Sequence, residues 1–331
     1  MEFLSQSDVI VLALGALILG MGILVKGGDW TIDGAVQIAR HYGMPPLLVG
    51  FTIVAFGTSL PELIASINAN LKGAASISVG GMVGSNISNI LLVGGVCAFI
   101  YPLTARLSSL RNDFIMLILV TIAWSYMLST MAISPFIGYS TVTILIAYIV
   151  LQYNLTKTGK QNAMALSAEE SEIEGHTTST KQAFFLIFIG LIGLAIGAEL
   201  LIRGAVTTAR IIGIRESVIG LTLVALGTSL PELTTCAIAA MKKQGEMIIG
   251  NIIGSNIFNL MMVLGGISLI GNYSIFDTEP VLLKQDIPIM IGVTIAMIAT
   301  LIIFKKIPRI IGGVFACGYV GYIILLATQS L

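Results

Sequence analysis

The sequence predicts an all-α polytopic membrane protein whose ten transmembrane helices form two inverted five-helix repeats. Three observations lead to this fold. Of the 331 residues, 56% are apolar and only 10% are charged, whereas about 25% of an ordinary soluble domain is charged. Apolar runs of roughly 20 residues, the length of a helix that crosses the hydrocarbon core, recur along the chain. The two halves of the chain also share long identical motifs.

Polar clusters divide the chain into ten candidate helices. The first apolar run follows acidic and polar residues and has no basic segment before it, so we interpret it as a retained span and not as a signal peptide. The formal net charge is zero, which gives no reason to expect nucleic acid as a partner. The predicted helices comprise residues 8–26, 44–71, 77–101, 113–130, 134–152, 183–203, 214–241, 247–270, 286–304 and 308–328.

The longest hydrophilic stretch separates the fifth helix from the sixth. It contains the acidic run "AEESEIEGH", and its Ser, Thr, Gly and charged residues favour a solvated loop. It lacks the spaced ligands of an EF-hand calcium site. The predicted domains are therefore a first five-helix repeat at residues 1–152, a hydrophilic linker at 153–181, and an inverted second repeat at 182–331.

The distribution of Lys and Arg predicts the orientation in the membrane. The connections after the odd-numbered helices contain twelve of these residues, and the other side contains five. Positive residues concentrate on the cytoplasmic side. We therefore expect a protein of the cell (inner) membrane with a cytoplasmic linker and both termini outside.

An internal repeat relates the two halves at a constant offset of 170 residues. "GFTIVAFGTSLPEL", which begins at Gly50, aligns with "GLTLVALGTSLPEL", which begins at Gly220, and eleven of fourteen positions are identical. The same offset aligns "GSNISN" from Gly84 with "GSNIFN" from Gly254. Because each half has an odd number of spans, the second half must enter the membrane from the opposite side. Inverted repeats with interrupted helices are typical of secondary transporters.

The GTSLPE motif places a helix breaker beside an ionisable side chain. Proline has no N–H and crowds the carbonyl four residues back, which belongs to Gly57 for Pro61 and to Gly227 for Pro231. Each helix is therefore expected to kink and to leave a backbone carbonyl unpaired. Such a carbonyl must face protein, water or a cation in the membrane.

The polar side chains around each kink are oxygen ligands. In both motifs the Thr, Ser and Glu lie on one side of the helix, because they are three or four residues apart. Carboxylate, hydroxyl and amide oxygens suit a hard cation such as Ca²⁺ or Na⁺. An isolated ionised Glu at mid-membrane costs at least ~3 kcal/mol, whereas one Ca²⁺ or two Na⁺ would neutralise a pair. The pattern therefore favours exchange, in which the site crosses the membrane barrier easily only when it is occupied.

With these motifs, the chain resembles the sodium/calcium exchanger family of the cation/Ca²⁺ exchanger superfamily, in its compact prokaryotic form. The resemblance covers nearly the whole chain, since each half carries one GTSLPE and one GSNxxN motif. It implies a secondary active antiporter that exchanges Ca²⁺ for Na⁺ by alternating access. It implies no cofactor and no enzymatic activity, and it makes helices one and six the candidates for a sliding gate. We expect the protein to work as a monomer.

The resemblance also implies a four-subsite arrangement for the transported ions. Glu62 and Glu232 would bind Ca²⁺ at the centre, Na⁺ would use the flanking subsites, and Ala55 and Ala225 would contribute only backbone carbonyls. The implied lining residues are Ala55, Thr58, Ser59, Glu62, Ser85 and Asn89 of the first repeat and Ala225, Thr228, Ser229, Glu232, Ser255 and Asn259 of the second.

One position departs from a common family pattern. Many members carry aspartate where this chain has Asn259, so two acidic groups are expected in the site and not three. Because family members differ in coupling to Na⁺, K⁺ or H⁺, an H⁺- or K⁺-coupled cation antiporter on the same scaffold stays open as an alternative.

Other interpretations of the same features also stay open. A cation channel is a less favoured alternative, since channels are usually built as a ring of subunits. An intramembrane protease would need paired aspartates or a Ser/His set at mid-membrane. The Ser and Asn pairs of the GSNxxN motifs can also join helices by hydrogen bonds. Asp29 and Glu199 align at the repeat offset near span ends, and we favour salt-bridge roles for them. Cys97, Cys236 and Cys317 are interpreted as small buried side chains.

Overall fold

The computed structural model describes residues 6–104, 106–130, 132–164, 179–212, 225–271 and 282–329. Nine helices in these ranges are long and apolar enough to cross a membrane. The seventh predicted span is described only from Ala225 onward. In chain order the helices are α1 (Gln6–His41), α2 (Pro46–Val49), α3 (Ala55–Thr58), α4 (Leu60–Leu71), α5 (Ala75–Ser88), α6 (Gly95–Ile100), α7 (Leu107–Thr130), α8 (Pro135–Met164), α9 (Thr180–Ile211), α10 (Ala225–Thr228), α11 (Leu230–Met241), α12 (Gly245–Phe258), α13 (Leu264–Ile270), α14 (Ile287–Phe304) and α15 (Arg309–Gln329).

Four π-helical turns interrupt the spans, and the sequence did not predict them. They are Gly50–Val54, Asn89–Gly94, Asn259–Val263 and Leu282–Asp286. Single π-helical turns occur frequently at functional sites. Two of the four begin at the asparagines that end the GSNxxN motifs.

Helix α12 lies at the centre of the bundle. Every residue from Met247 to Phe258 is buried, as expected for a helix that is apolar on all sides. Its glycines allow the backbone of the first repeat to approach closely, because a Cβ atom at Gly250 would lie 2.2 Å from the carbonyl oxygen of Leu47. The second half of the chain is therefore packed directly into the first.

The helices α1 and α9 are longer than predicted and pack against each other. Their close approach requires small residues, because a Cβ atom at Gly27 would lie 2.8 Å from the carbonyl oxygen of Gly190. A Cβ atom at Gly20 would likewise lie 2.9 Å from the carbonyl oxygen of Gly197. Since the repeat offset relates Gly20 to Gly190 and Gly27 to Gly197, these reciprocal contacts follow the inverted symmetry. This glycine seam comprises Ala13, Gly20, Gly27 and Gly34 of α1 and Ala183, Gly190, Gly197 and Gly204 of α9.

Two lysines related by the repeat offset name the two ends of the bundle. At the Lys242 face, Lys242 Nζ lies 2.6 Å from Asp29 Oδ1 and 2.6 Å from Asp33 Oδ1. Burial alone would lower the pKa of Lys242, but the two carboxylates outweigh it and raise that pKa. The opposite end, at the connection between α4 and α5, is the Lys72 face.

Ion pairs explain why the first span was predicted too short. Asp29 also lies 3.1 Å from Lys26, so charged residues that look like a span end are paired inside a continuous helix. Glu199 Oε1 lies 2.5 Å from Arg203 Nε within α9. The salt-bridge interpretation of Asp29 and Glu199 is thus confirmed.

A short sheet closes the Lys242 face. The strands β1 (Leu103–Thr104) and β2 (Lys306–Ile307) pair antiparallel. The two strands lead into α7 and α15 in their respective repeats, so those helices begin at the same face.

Two further expectations need correction. Helix α8 continues to Met164, beyond the predicted end at residue 152, and the acidic run and His176 lie outside the described residues. Cys97 and Cys236 are buried as expected, but Cys317 is exposed, because it lies on the outer side of the last helix of the bundle.

Candidate cation-binding site

Both GTSLPE motifs interrupt a helix at the serine. Ser59 has φ −85° and ψ 0°, and Ser229 has φ −91° and ψ 1°, a sparsely populated region where active-site residues are often found. The following helices begin one residue later, which places Pro61 and Pro231 in the first turn, where a missing N–H breaks no bond. The predicted helix breaks are therefore confirmed in both repeats.

Each break places a glutamate in the first turn of a new helix. Glu62 lies in the first turn of α4 and is 3% exposed, and Glu232 lies in the first turn of α11 and is 1% exposed. A helix N-terminus carries partial positive charge and favours an anion. The two carboxyl groups are close enough to interact electrostatically, and Thr58 lies beside Glu232. The fold thus brings together two acidic side chains that are 170 residues apart.

Several buried oxygen atoms around this pair lack a hydrogen bond of ordinary geometry. Leaving such an atom unpaired costs about 1–3 kcal/mol, and more for a charged group. Their concentration around two carboxylates fits a hard cation, which oxygen ligands would surround. The atoms are Ser59 Oγ, Ser229 Oγ, Ser255 Oγ, Glu62 Oε2 and both carboxylate oxygens of Glu232.

The remaining first-repeat residues differ in how fully they are satisfied. Thr58 Oγ1 donates to the Val54 carbonyl at 3.1 Å, which leaves its oxygen lone pairs directed elsewhere. The Ala55 carbonyl already accepts the Ser59 N–H at 3.0 Å. Ser85 is buried and lines the same cavity as Glu62.

In the second repeat, Ala225 begins α10 and Thr228 ends it. Thr228 lines the cavity with Glu62. In the part of the chain that is described, no group of three His, Cys, Asp or Glu could hold a metal. Hydroxyl, amide or backbone oxygens would therefore have to complete a cation shell begun by Glu62 and Glu232.

The asparagines of the two GSNxxN motifs do not behave alike. Asn89 Nδ2 donates to Asn256 Oδ1 at 3.1 Å, so Asn89 joins two helices. Both side-chain polar atoms of Asn259 are buried without a hydrogen bond. The interhelical interpretation therefore applies to Asn89, while Asn259 presents free polar atoms beside the other candidates.

Sequence reasoning missed the first asparagine of each motif. Asn86 Nδ2 lies 3.5 Å from the Asn256 carbonyl, and Asn256 Nδ2 lies 3.4 Å from the Asn86 carbonyl. This reciprocal pair joins the two repeats where their helices cross. The signal was present, because the asparagine is identical in both motifs.

A cavity of about 500 Å³ reaches Glu62 from the Lys72 side. Its wall includes the half of α4 that follows Glu62, the first half of α5, and the second half of α15. Asp286, Tyr319 and Tyr322 also line it, and the sequence did not single out these three residues. The candidate site is thus approached from one end of the bundle.

Comparison with known proteins agrees with this geometry. The chain matches the family described as "Sodium/calcium exchanger protein" over residues 12–154 and 182–328. The inner membrane protein YrbG of Escherichia coli is 32% identical over 318 residues, covering 96% of this chain and 96% of that protein. The sodium/calcium exchanger MaX1 of Methanosarcina acetivorans is 29% identical over 342 residues, covering 94% and 97%. The solved structure of the sodium/calcium exchanger from Methanococcus jannaschii has a TM-score of 0.81 at 30% identity, covering 95% of this chain and 98% of that chain.

Proposed function

The chain belongs to the sodium/calcium exchanger family and exchanges Ca²⁺ for Na⁺ across a membrane, and we propose that both ions share one site at the two helix breaks. Glu62 and Glu232 bind Ca²⁺ between them. Thr58, Ser59, Ser85, Thr228, Ser229, Ser255 and Asn259, with the backbone of Ala55 and Ala225, complete the subsites, and Asn89 holds two of the helices together. The observation that best supports this site is the pair of buried carboxylates among unpaired oxygens.

The charge of the site explains why exchange is obligatory. Two desolvated carboxylates that face each other repel strongly when no cation is present. One Ca²⁺ or two Na⁺ neutralises the pair, so an occupied site moves between its two access states at lower cost than an empty one. Ca²⁺ and Na⁺ therefore displace each other at the same carboxylates.

The helices α1 and α9 form the moving element in this proposal. The glycine seam joins them into one unit along much of their length. Lys242 links that unit to the connection after α11 through Asp29 and Asp33. Movement of the pair would open the Lys242 side while the Lys72 side closes.

We further propose that the Lys72 face lies outside the cell and the Lys242 face in the cytoplasm. Twelve Lys and Arg residues against five support this orientation, because positive residues concentrate on the cytoplasmic side. The bilayer that surrounds the protein is the cell membrane, and the protein acts as a monomer. A cysteine in place of Lys72 would then react with an impermeant thiol reagent on intact cells.

Uptake of ⁴⁵Ca²⁺ into proteoliposomes tests the coupling ion. Vesicles loaded with Na⁺ should accumulate Ca²⁺ at least about tenfold faster than vesicles loaded with K⁺ or with a pH gradient alone. Uptake that is indifferent to internal Na⁺ but follows K⁺ or H⁺ would support the alternative antiporter. A Ca²⁺ conductance that needs no counter-ion would support a channel.

Replacing Asn259 by aspartate should change the ion dependence more than the stability. A third carboxylate would add negative charge next to Glu62 and Glu232, so we expect the apparent KM for Na⁺ or the pH profile of exchange to shift by about threefold or more. The Asn89→Asp variant is the comparison, because it removes the donor to Asn256 and should lower the melting temperature. An Asn259→Asp protein with unchanged Na⁺ and pH profiles would contradict the assignment of Asn259 to the site.

A further inference from the structure

A third buried carboxylate lines the cavity that reaches Glu62. Asp286 ends the π-helical turn before α14, is 8% exposed, and borders the cavity. The hydroxyl of Tyr322 donates a hydrogen bond to Asp286 Oδ1 at 3.2 Å. Because α14 ends at the Lys242 face, its beginning lies towards the Lys72 face. Asp286 is therefore placed along the route between that face and the transport site.

The first repeat contains the same Asp–Tyr pair on the other side of the protein. The hydroxyl of Tyr148 donates to Asp113 Oδ1 at 2.5 Å, and Gln152 donates to the same oxygen. An offset of 173 residues relates Asp113 to Asp286, and "VTIA" begins seven residues after each aspartate. An offset of 174 relates Tyr148 to Tyr322. The two pairs are thus equivalent positions of the inverted repeats, one towards each face.

The two pairs differ in how they are covered. The ring of Tyr148 contacts Phe51 at 5.8 Å, and Phe51 contacts Phe258 at 6.3 Å, so aromatic side chains lie between Asp113 and the transport site. The residue related to Phe258 by the repeat offset is Ser88, and Ser88 interacts with Tyr319 in the cavity wall. The route past Asp286 is consequently open where the route past Asp113 is filled.

We propose that Asp286 binds the incoming cation between the Lys72 face and Glu62, and that Asp113 does so on the Lys242 side when that side opens. The inference rests on the proposed function, which it extends to the access routes. A second observation supports it, because Glu62 lines the same cavity, is 3% exposed, and has Oε2 without a hydrogen bond. The cavity thus leads from one carboxylate to a second, unsatisfied one.

The chemistry of the pair suits a transient site. One carboxylate, a tyrosine hydroxyl and water are hard oxygen ligands. They supply less negative charge than the Glu62 and Glu232 pair. A cation held at Asp286 would therefore pass on to the transport site, and the carboxylate would raise the local cation concentration in the cavity.

The test compares Asp286→Asn with Asp113→Asn in right-side-out and inside-out membrane vesicles, with ⁴⁵Ca²⁺ on one side and Na⁺ on the other. Asp286→Asn should raise the apparent KM for Ca²⁺ about fivefold when Ca²⁺ is presented at the Lys72 face. The maximal rate and the KM at the Lys242 face should stay within about twofold of the original protein. Asp113→Asn should give the opposite pattern, and Asp286→Glu should restore the original KM.

The readout separates binding from structure. A purely structural role would lower the maximal rate from both faces without a KM difference between them, and that result would overturn the proposal, as would an unchanged KM at both faces. Should Asp286→Asn fail to fold, Tyr322→Phe keeps the carboxylate and should change the KM at the Lys72 face alone. Loss of all exchange in Glu62→Gln with no KM change in Asp286→Asn would reject only the access site, whereas normal exchange in Glu62→Gln would reject the transport site itself.

Discussion

Replacing Glu62 or Glu232 by glutamine should abolish Ca²⁺ exchange while the protein stays folded. Glutamine has nearly the same shape but carries no charge, so the variant site holds one negative charge where two are needed for Ca²⁺. Losing one partner of a buried charge pair costs about 3–5 kcal/mol, which corresponds to a more than hundredfold loss of affinity. ⁴⁵Ca²⁺ uptake into Na⁺-loaded proteoliposomes measures the effect.

Folding should not suffer from either change. Glu62 Oε2 and both Glu232 oxygens lack a hydrogen bond of ordinary geometry, so few contacts are lost when the carboxylate becomes an amide. Removing a buried charge should leave the melting temperature equal or higher. Glu199→Gln is the matched control, because Glu199 is an exposed residue paired with Arg203, and this variant should exchange normally. Wild-type exchange in purified Glu62→Gln or Glu232→Gln protein would refute the site.

Replacing Gly27 by alanine should destabilise the protein strongly for a change of one methyl group. The added Cβ atom would lie 2.7 Å from the Leu194 backbone nitrogen and 2.8 Å from the Gly190 carbonyl oxygen. Because both neighbours are backbone atoms, neither can rotate away, and α1 and α9 must separate. Overpacking of this kind costs about 1–3 kcal/mol or more. Thermal unfolding in detergent, followed by size-exclusion chromatography, measures the loss.

The matched control lies on the same helix. Gly22 is exposed, and no atom lies within 4 Å of a Cβ atom placed on it. Gly22→Ala should therefore be neutral or gain up to about 1 kcal/mol from helix propensity. Equal melting temperatures for the two variants would show that the glycine seam does not hold α1 and α9 together. A separate assay of exchange in Gly27→Ala would report whether the joined pair is needed for transport.

The candidate site was largely predictable because its chemistry is local. Pro61 lacks an N–H, and this alone predicts a helix break within a few residues, which the structure places at Ser59. The spacing of Thr58 and Glu62 puts both on one side of the chain near that break. Their repetition around Pro231 supplied the second half of the site.

Other features depend on partners that no local pattern identifies. Charged residues at Lys26 and Asp29 look like a span end to hydropathy, but they form a pair within α1. Asn86 and Asn256 meet across 170 residues, and Asp286 meets Tyr322 across 36. Their roles were missed because each depends on contacts between helices that are distant in sequence.

The amino-acid sequence by itself determines that the chain lies in a membrane, that its halves are inverted copies, and that hard oxygen ligands surround two glutamates. These properties follow from composition, from the odd number of spans and from residue chemistry, all of which are independent of packing. Only the tertiary structure decides which oxygens remain unpaired, which asparagine joins helices, and from which face a cavity reaches Glu62. Those outcomes depend on the register in which α1 meets α9 and the first repeat meets α12, and that register is set by close backbone contacts between the two halves of the chain.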